Sequence, residues 1–312
     1  MFMFENQITI EDRPVLEEYL NGYDYQTSGL SFSSLYMWRN INGFSWQIIG
    51  DYMFLAGESH LEMEDGGRIE PFLFPPLTRT GSYEPQGLRQ AIYEAKKIFE
   101  KGGYEMVIRL LPDHMIDIIR QACPEELEYI EDRPNYDYVY RRQDLAELKG
   151  RDYHGKKNHL NYFHKNYQFE YVPLTSDMAD AAMRFIEESN EHKEISEYEM
   201  QLLKMEEEAM ADVFRNLEKV GYLAGAVLID DKIEALTVGG NLNKDTVAVH
   251  VEKANTNFRG LYQAINNEFC KSLPSHVEYV NREEDMGIAN LRKAKLSYKP
   301  VRMVEKYIAA FK

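Results

Sequence analysis

The segment VNREEDMG, residues 280–287, holds the densest group of side chains that can carry out chemistry. A strand-like apolar run ends there in a polar set: Asn281, Arg282, Glu283, Glu284 and Asp285. Ligands of α/β proteins collect at the carboxyl ends of strands, where a cation can hold an anion while a nearby carboxylate accepts a proton. The pattern therefore predicts catalytic roles for Arg282, Glu283 and Asp285 and a substrate contact for Asn281. A solvated turn in which Asp285 caps the next helix explains the same residues.

A second candidate lies in HVEKANTNFRGLYQA, residues 250–264. A strand is predicted to end at Glu252, and a polar loop that contains Arg259 and Gly260 then opens a helix. Free backbone N–H groups at a helix start bind phosphate, and glycine permits close approach of a ligand. Arg259 and Gly260 are therefore candidate substrate contacts. A packing role for the glycine accounts for it equally well.

The segment LRKAKLSYKP, residues 291–300, adds cations to this set. Lys293 and Lys295 lie near the C-terminus of a predicted short helix, where they complement the helix dipole. The same cations can hold a phosphate or a carboxylate beside Arg282, and Tyr298 can donate a proton to a leaving oxygen. A solvated helix face is the commoner interpretation of such a run.

Residues 141–165 form a basic island in an acidic chain. The stretch from Arg141 to Tyr167 has seven Lys or Arg and three Asp or Glu, with aromatic residues interleaved among the cations. That make-up is typical of a nucleic-acid contact, in which cations such as Lys156 and Lys157 hold phosphates and rings stack on bases. A linker helix whose aromatic residues face the core is equally compatible.

Three histidines of this island do not predict a metal site. His154, His159 and His164 are five residues apart, a spacing that places them around a helix instead of along one face. We therefore predict neither a metal nor a cofactor. The sequence also has no Walker, GxGxxG, GxSxG or HExxH motif, which argues against P-loop NTPases and leaves dinucleotide enzymes, α/β-hydrolases and zincin proteases without their signatures.

The elements that must position these residues occur twice. GLRQAI at residues 87–92 recurs as GLYQAI at residues 260–265, and the same gap-free offset of 173 residues sets Arg109 on Arg282. Each copy has an apolar strand, a helix, a further strand, a short helix and a final extended segment.

This repeat predicts an α+β chain of two tandem domains, each a mixed sheet flanked by helices. The basic island places the boundary between residues 1–145 and residues 146–312, with the active site in the second domain. Within that domain, residues 221–242 have two apolar runs around Asp230 and Asp231, which predicts a hairpin.

Composition limits the partners and the location. The 312 residues include 52 Asp or Glu and 36 Lys or Arg, a net charge of −16, so any nucleic-acid contact must be local. Two cysteines allow at most one disulfide, and no apolar run approaches the roughly 18 residues of a membrane span. We therefore predict a cytoplasmic protein without a membrane span and leave the oligomeric state open.

Four segments together resemble a bacterial family. HVEKAN, GLYQAINNEF and YVNREEDMGIANLRKAKLSYKP, preceded by GKKNHLNYF, resemble the phosphatidylglycerol lysyltransferase C-terminal-like proteins. The resemblance implies a tandem GNAT fold, two acetyltransferase-like domains in one chain, similar to the Fem peptidoglycan aminoacyltransferases. It also implies transfer of an aminoacyl group from a tRNA donor to a lipid-like, small-molecule or other amine acceptor.

On this resemblance, the mechanism is direct attack by an amine on an activated carbonyl, without a covalent intermediate. Glu252 or Glu283 takes the proton of the amine, while Arg282 and Lys295 anchor a phosphate or carboxylate of the donor. Backbone N–H groups near Glu252 stabilise the oxyanion. The basic island, residues 141–165, would hold a tRNA stem.

Two alternatives come from other classes of function. An acyl-CoA-dependent N-acyltransferase needs a Q/R-x-x-G-x-G/A turn at the start of the central helix, and the nearest match here is NFRGLY. A GNAT-like protein without catalysis would bind a small molecule or a peptide. An open cleft in which no carboxylate and arginine converge would favour that last interpretation.

Overall fold

The computed structural model describes residues 3–58, 70–190 and 197–312. The chain divides into two compact units: a first unit of Met1–Tyr136 with Val304–Lys312, and a second unit of Asp137–Met303. These ranges differ from the predicted domains 1–145 and 146–312 at both ends of the second unit. Residues 137–145 belong to the second unit, and the last nine residues belong to the first.

The first unit is a twisted sheet with helices against it. Its elements, numbered along the whole chain, are β1 (Asn6–Gln7), α1 (Arg13–Leu20), α2 (Phe32–Trp38), β2 (Ser45–Ile49), β3 (Tyr52–Gly57), β4 (Phe72–Leu73), β5 (Leu77–Thr78), α3 (Pro85–Lys101), β6 (Val107–Pro112), α4 (Ile116–Ala122), β7 (Leu127–Glu131) and, from the C-terminus, β15 (Lys306–Phe311). The strand order is β1-β2-β3-β4-β6-β15-β7, with β5 also paired to β3. β4 and β6 are parallel and are joined through α3.

The second unit is built in the same way. Its elements are β8 (Asp137–Arg141), α5 (Arg142–Glu147), α6 (His154–Asn166), β9 (Glu170–Pro173), α7 (Ala179–Asn190), α8 (Glu197–Arg215), α9 (Leu217–Val220), β10 (Leu223–Ile229), β11 (Lys232–Asn241), β12 (Thr246–Ala254), α10 (Leu261–Ser272), β13 (Tyr279–Asn281), α11 (Ala289–Leu296) and β14 (Arg302–Val304). The strand order is β14-β8-β13-β12-β11-β10-β9. β12 and β13 are parallel and are joined through α10.

Strand register shows the repeat directly. Leu73 pairs with Ile108 in the first sheet, and Ala248 pairs with Asn281 in the second. The offset of 173 residues relates Ile108 to Asn281, so the repeated helices α3 and α10 join equivalent parallel strands. Two residues further on, Leu110 and Glu283 both have positive φ, at 55° and 56°.

Each sheet is completed by a strand from a distant part of the chain. The C-terminal strand β15 lies between β6 and β7 and is antiparallel to both. The corresponding place in the second sheet, between β13 and β14, is held by β8. This exchange explains why boundaries read from sequence similarity differ from the compact units: β8 follows the first repeat in sequence but pairs in the second sheet.

Apolar spacing explains the repeated helices and the predicted hairpin. α3 buries Leu88, Ala91, Ile92, Ala95 and Phe99 at intervals of three or four residues, and the side chain of Glu84 caps its first N–H groups. The hairpin prediction is confirmed: β10 and β11 pair around Asp230 and Asp231, whose φ angles of 51° and 61° are those of a tight two-residue turn.

Candidate active site

The parallel strands β12 and β13 separate beside the residues singled out from the sequence. β13 pairs with β12 only over Thr246–Ala248 and ends at Asn281, whereas β12 continues to Ala254. The side chain of Asn281 accepts a hydrogen bond from the Glu283 N–H at 2.8 Å and donates one to Asp137 at 3.1 Å. Asn281 is fully buried, so it fixes the turn at Glu283. We call the opening between Val249–Ala254 and residues 282–284 the β12–β13 fork.

Arg282 and Glu252 form an ion pair across the fork. Arg282 Nη2 donates to Glu252 Oε1 at 2.8 Å, and Asn266 on α10 donates to Glu252 Oε2 at 3.0 Å. The two charged side chains are only 14% and 10% exposed. Arg282 Nη1 is buried and has no hydrogen-bond partner among the described residues. A guanidinium nitrogen in that state can donate to an oxygen of a bound substrate.

The rings of Tyr298 and Tyr140 form the walls around Arg282. Their centroids lie 4.9 and 5.8 Å from the guanidinium carbon. Burial would lower the pKa of Arg282, but Glu252 and the tyrosines outweigh it and raise that pKa above its ordinary value. Burial raises the pKa of Tyr298 to about 12, against the opposing effect of Arg282. At neutral pH, Arg282 is therefore charged and Tyr298 keeps its proton.

Glu283 is held by a histidine that was not among the predicted site residues. His250 Nδ1 lies 2.7 Å from Glu283 Oε1, and the imidazole is fully buried. Val249 pairs with Gly239 and Val251 with Val238, so His250 is the extra residue of a β-bulge, which re-aims its side chain. Gly239 permits the bulge, because a Cβ there would lie 2.4 Å from the Ala248 carbonyl oxygen. His250 precedes Glu252 by two residues, which was the available signal.

Asp285 has its carboxylate fully engaged within the protein. It accepts two hydrogen bonds from Arg292 at 2.8 Å, one from the Tyr138 hydroxyl at 2.6 Å and one from the Gly287 N–H at 2.9 Å. Burial alone would raise its pKa, but these donors outweigh burial and hold the pKa well below its usual range. Asp285 therefore fastens the loop after β13 to β8 and α11, which differs from the catalytic role predicted for it.

We expect Asp285 to make the free energy of unfolding depend on pH in acid. Because its folded pKa lies below the unfolded value of about 3.9, the carboxylate stabilises the fold above pH ~4, and this contribution is lost as the pH falls further. Asp285→Asn should cost about 3 kcal/mol or more at pH 7. Urea unfolding of both proteins from pH 7 to pH 3 should show the difference shrinking below about pH 4. A difference that stays constant with pH would contradict this role.

The predicted lysines divide between structural and exposed positions. Lys295 is buried, and its Nζ donates to the carbonyl oxygens of Arg282, at 2.5 Å, and of Glu284. Burial and the nearby Arg282 lower its pKa. It therefore supports the backbone of the fork, whereas the sequence predicted a substrate anchor. Lys293 is exposed on α11. Lys156 on α6 lies 4.2 Å from the Tyr298 ring centroid, so the basic island reaches the fork through this residue.

The remaining predicted contacts lie where α6 meets α10. Gly260, with φ at +93°, is the N-cap of α10, and a Cβ there would lie 2.3 Å from the His159 carbonyl oxygen of α6. This supports the packing interpretation of that glycine. Arg259 is exposed and lies 4.6 Å from the Tyr162 ring centroid. Lys157 donates to the Glu147 carbonyl oxygen at 3.3 Å.

The first unit does not repeat the ion pair. Strand register places Leu77 at the position of Glu252, because Met53 pairs with Leu77 as Thr237 pairs with Glu252. Arg109, the equivalent of Arg282, lies over the Phe72 ring at 5.6 Å. The Tyr25 hydroxyl accepts from the Thr78 N–H at 2.9 Å and occupies the edge of β5. Within residues 3–58, 70–136 and 304–312, no Arg–Glu pair like that of Arg282 and Glu252 occurs.

Neither a metal cluster nor a membrane span is found in the described part of the chain. Within it, no group of three or more His, Cys, Asp or Glu side chains is placed to hold a metal ion. Likewise, no helix in residues 3–58, 70–190 and 197–312 is long and apolar enough to cross a membrane. Cys123 and Cys270 are free and buried.

Comparison with known proteins decides the family. The family model "Phosphatidylglycerol lysyltransferase, C-terminal" matches residues 21–310. The chain belongs to this family. A conserved protein of unknown function from Bacteroides thetaiotaomicron is 31% identical to this lysyltransferase-family chain over the full length of both, with a TM-score of 0.87.

More distant relatives extend the comparison. L-PGS from Bacillus licheniformis is 13% identical, with 98% of this chain and 93% of that chain covered and a TM-score of 0.61, which shows a shared fold. An uncharacterised protein of Mycoplasmoides gallisepticum is 25% identical over 176 residues, 55% of this chain and 54% of that protein. The match therefore spans about half the length of this curated relative.

These matches confirm two predictions made from the sequence. The chain is a member of the phosphatidylglycerol lysyltransferase C-terminal family, and it has a tandem GNAT-like fold of two mixed sheets flanked by helices. Family and fold together indicate an acyltransferase or aminoacyltransferase.

Proposed function

We propose that the protein transfers an aminoacyl group from the ester of an aminoacyl-tRNA to an amine or hydroxyl acceptor, at the β12–β13 fork of the second unit. The observation that carries this proposal is Arg282 Nη1, a buried cationic donor without a partner among the described residues. Glu252 keeps the guanidinium charged and fixes its other end. Such a preorganised donor stabilises an oxygen on which negative charge develops.

The reaction would proceed by direct attack. The acceptor nitrogen or oxygen bonds to the ester carbonyl carbon, and Arg282 Nη1 donates to the carbonyl oxygen as it becomes an oxyanion. Glu283, with one carboxylate oxygen on His250, takes the proton that the acceptor loses. The carbon–oxygen bond to the ribose then breaks, and Tyr298, which keeps its proton at neutral pH, protonates the leaving ribose oxygen.

Glu283 is a better proton acceptor than Glu252. Both oxygens of Glu252 are engaged, one by Arg282 and one by Asn266. Glu283 is 17% exposed and has one hydrogen bond to a side chain, from His250. The two carboxylates that the sequence offered as alternatives therefore have separate roles, Glu252 as the partner of Arg282 and Glu283 as the base.

Helix α6 of the basic island supports tRNA as the donor. Tyr153, Leu160 and Phe163 face the core, while its cations Lys156, Lys157 and Lys165 are half-buried or exposed. Lys156 connects this basic face to Tyr298 beside Arg282. A strand of phosphates lying along α6 would place its terminal nucleotide at the fork.

An acyl-CoA donor has less support from the structure. The turn that would cradle its pyrophosphate lies at the start of α10, where the Gly260 Cα packs against the backbone of α6. The turn NFRGLY has only one glycine, and Arg259 beside it points over Tyr162. A cofactor phosphate at this helix start would need α6 to move.

Binding of bulk bacterial tRNA tests the donor. We expect salt-sensitive binding that falls about tenfold or more when Lys156 and Lys157 are replaced by Glu, because phosphate contacts release counterions. Lys97→Glu and Lys101→Glu on α3, also exposed, form a control of equal charge change. Thermal shift with acetyl-CoA runs in parallel. Stabilisation by acetyl-CoA without tRNA binding would contradict the tRNA donor, and no response to either would favour a non-catalytic binding protein.

A further inference from the structure

One segment beside the fork concentrates exposed apolar side chains. The described residues include nine large hydrophobic side chains that are well exposed, and four of them lie in residues 286–301. They are Met286, Ile288, Leu296 and Val301, exposed by 61%, 49%, 46% and 43%. Large apolar groups that gather on a surface mark a site of interaction.

The four residues are close in space as well as in sequence. Met286 and Ile288 precede α11, and Leu296 ends it, so Ile288 and Leu296 lie on neighbouring sides of the helix, about 12 Å apart along its axis. Met286 and Gly287 both have positive φ, which projects this loop from the end of the helix. Val301 donates its N–H to Val139 of β8 just after the turn that follows α11.

The charge of this segment is opposite to that of the chain. Residues 286–303 contain five Lys or Arg and no Asp or Glu, in a protein with a net charge of −16. Arg292 and Lys295 are engaged by Asp285 and by backbone carbonyls. The other cations, Lys293, Lys299 and Arg302, are exposed among the apolar residues.

We propose that residues 286–303, the α11 surface, dock the protein on an anionic lipid bilayer. Apolar side chains that enter the interface and lysines or arginines that meet anionic headgroups are the two features such a surface needs. A tRNA would use the cations but would leave Met286, Ile288 and Leu296 in water. Because Lys295 of α11 holds the backbone at Arg282 and Glu284, docking would bring the β12–β13 fork close to the bilayer.

Flotation of the full-length protein with vesicles tests this proposal without any acyl donor. We expect binding to phosphatidylcholine vesicles containing 30% phosphatidylglycerol to exceed binding to pure phosphatidylcholine by about tenfold or more, and to weaken with salt. The double variant Ile288→Glu, Leu296→Glu should lose about tenfold or more of that binding. Ile130→Glu, 50% exposed on β7 of the first unit, is the matched control and should bind like the unmodified protein.

Each other outcome overturns the proposal. Equal binding by the double variant would show that α11 is not the docking surface. Absence of vesicle binding, with a dimer that the double variant dissociates in sedimentation, would assign the surface to a second copy of the chain. Loss of tRNA binding in the double variant, without vesicle binding, would assign it to nucleic acid. Thermal unfolding of all variants checks the fold, which exposed positions should leave unchanged. None of these results depends on the transfer reaction.

Discussion

Replacing Arg282 by Gln should reduce aminoacyl transfer by about 10²- to 10³-fold, because the variant lacks the cationic donor that faces the developing oxyanion. The same change leaves the charge of Glu252 buried without its partner, which costs about 3–5 kcal/mol of folding free energy. Activity and stability must therefore be separated. The double variant Glu252→Gln, Arg282→Gln removes both charges, and we expect it to regain most of the stability while remaining inactive.

The repeat supplies the matched control for this experiment. Arg109 is the equivalent of Arg282 in the first unit, but Leu77 stands where Glu252 would be. Arg109→Gln should keep activity within about twofold of the unmodified protein, since surface changes away from a site have small effects. Initial rates of transfer and urea unfolding of all four proteins provide the comparison. Full activity in the Glu252→Gln, Arg282→Gln variant would remove Arg282 from the reaction.

Cutting the chain at the boundary that sequence similarity suggests should prevent folding of the second half. Residues 146–312 lack β8, and with it Tyr138 and Tyr140, two fully buried side chains whose truncation costs about 3–5 kcal/mol each. Residues 137–303 keep β8 and have β15 removed. We expect this second fragment to unfold cooperatively in urea and the first to lack a cooperative transition.

The two fragments have similar lengths, so the comparison isolates β8 from the effect of size. Near-ultraviolet circular dichroism reports fixed tyrosine packing in each fragment. A cooperative transition in residues 146–312 would show that β8 is dispensable and would contradict the strand exchange as a stabilising feature.

The sequence predicted the elements of the fold that repeat in kind. Periodic apolar residues indicated α3 and α10, and the offset of 173 residues related β6 to β13. Such features are local or are copied along the chain, so a single sequence shows them. The exchange of β8 and β15 is a choice between two equivalent sheet positions, and no local pattern distinguishes those positions.

The candidate site was predicted in place but not in its assignment of roles. Residue types and spacing located Arg282, Glu252 and Glu283, because charged residues after buried strands are rare enough to notice. The partners of each group depend on tertiary contacts: Asp285 binds Arg292 and Tyr138, and Lys295 binds backbone carbonyls. His250 looked like an ordinary strand residue, since a β-bulge that re-aims one side chain leaves little trace in the sequence.

One measurement tests the central claim most directly: transfer of label from total bacterial tRNA, charged with radioactive amino acids, to a bacterial extract of lipids and small amines. We predict that the unmodified protein and Arg109→Gln move label into a base-stable amide or into an extractable ester, and that Glu252→Gln, Arg282→Gln does not. Label that stays on tRNA with every protein, or that moves equally with the double variant, would contradict aminoacyl transfer at the β12–β13 fork.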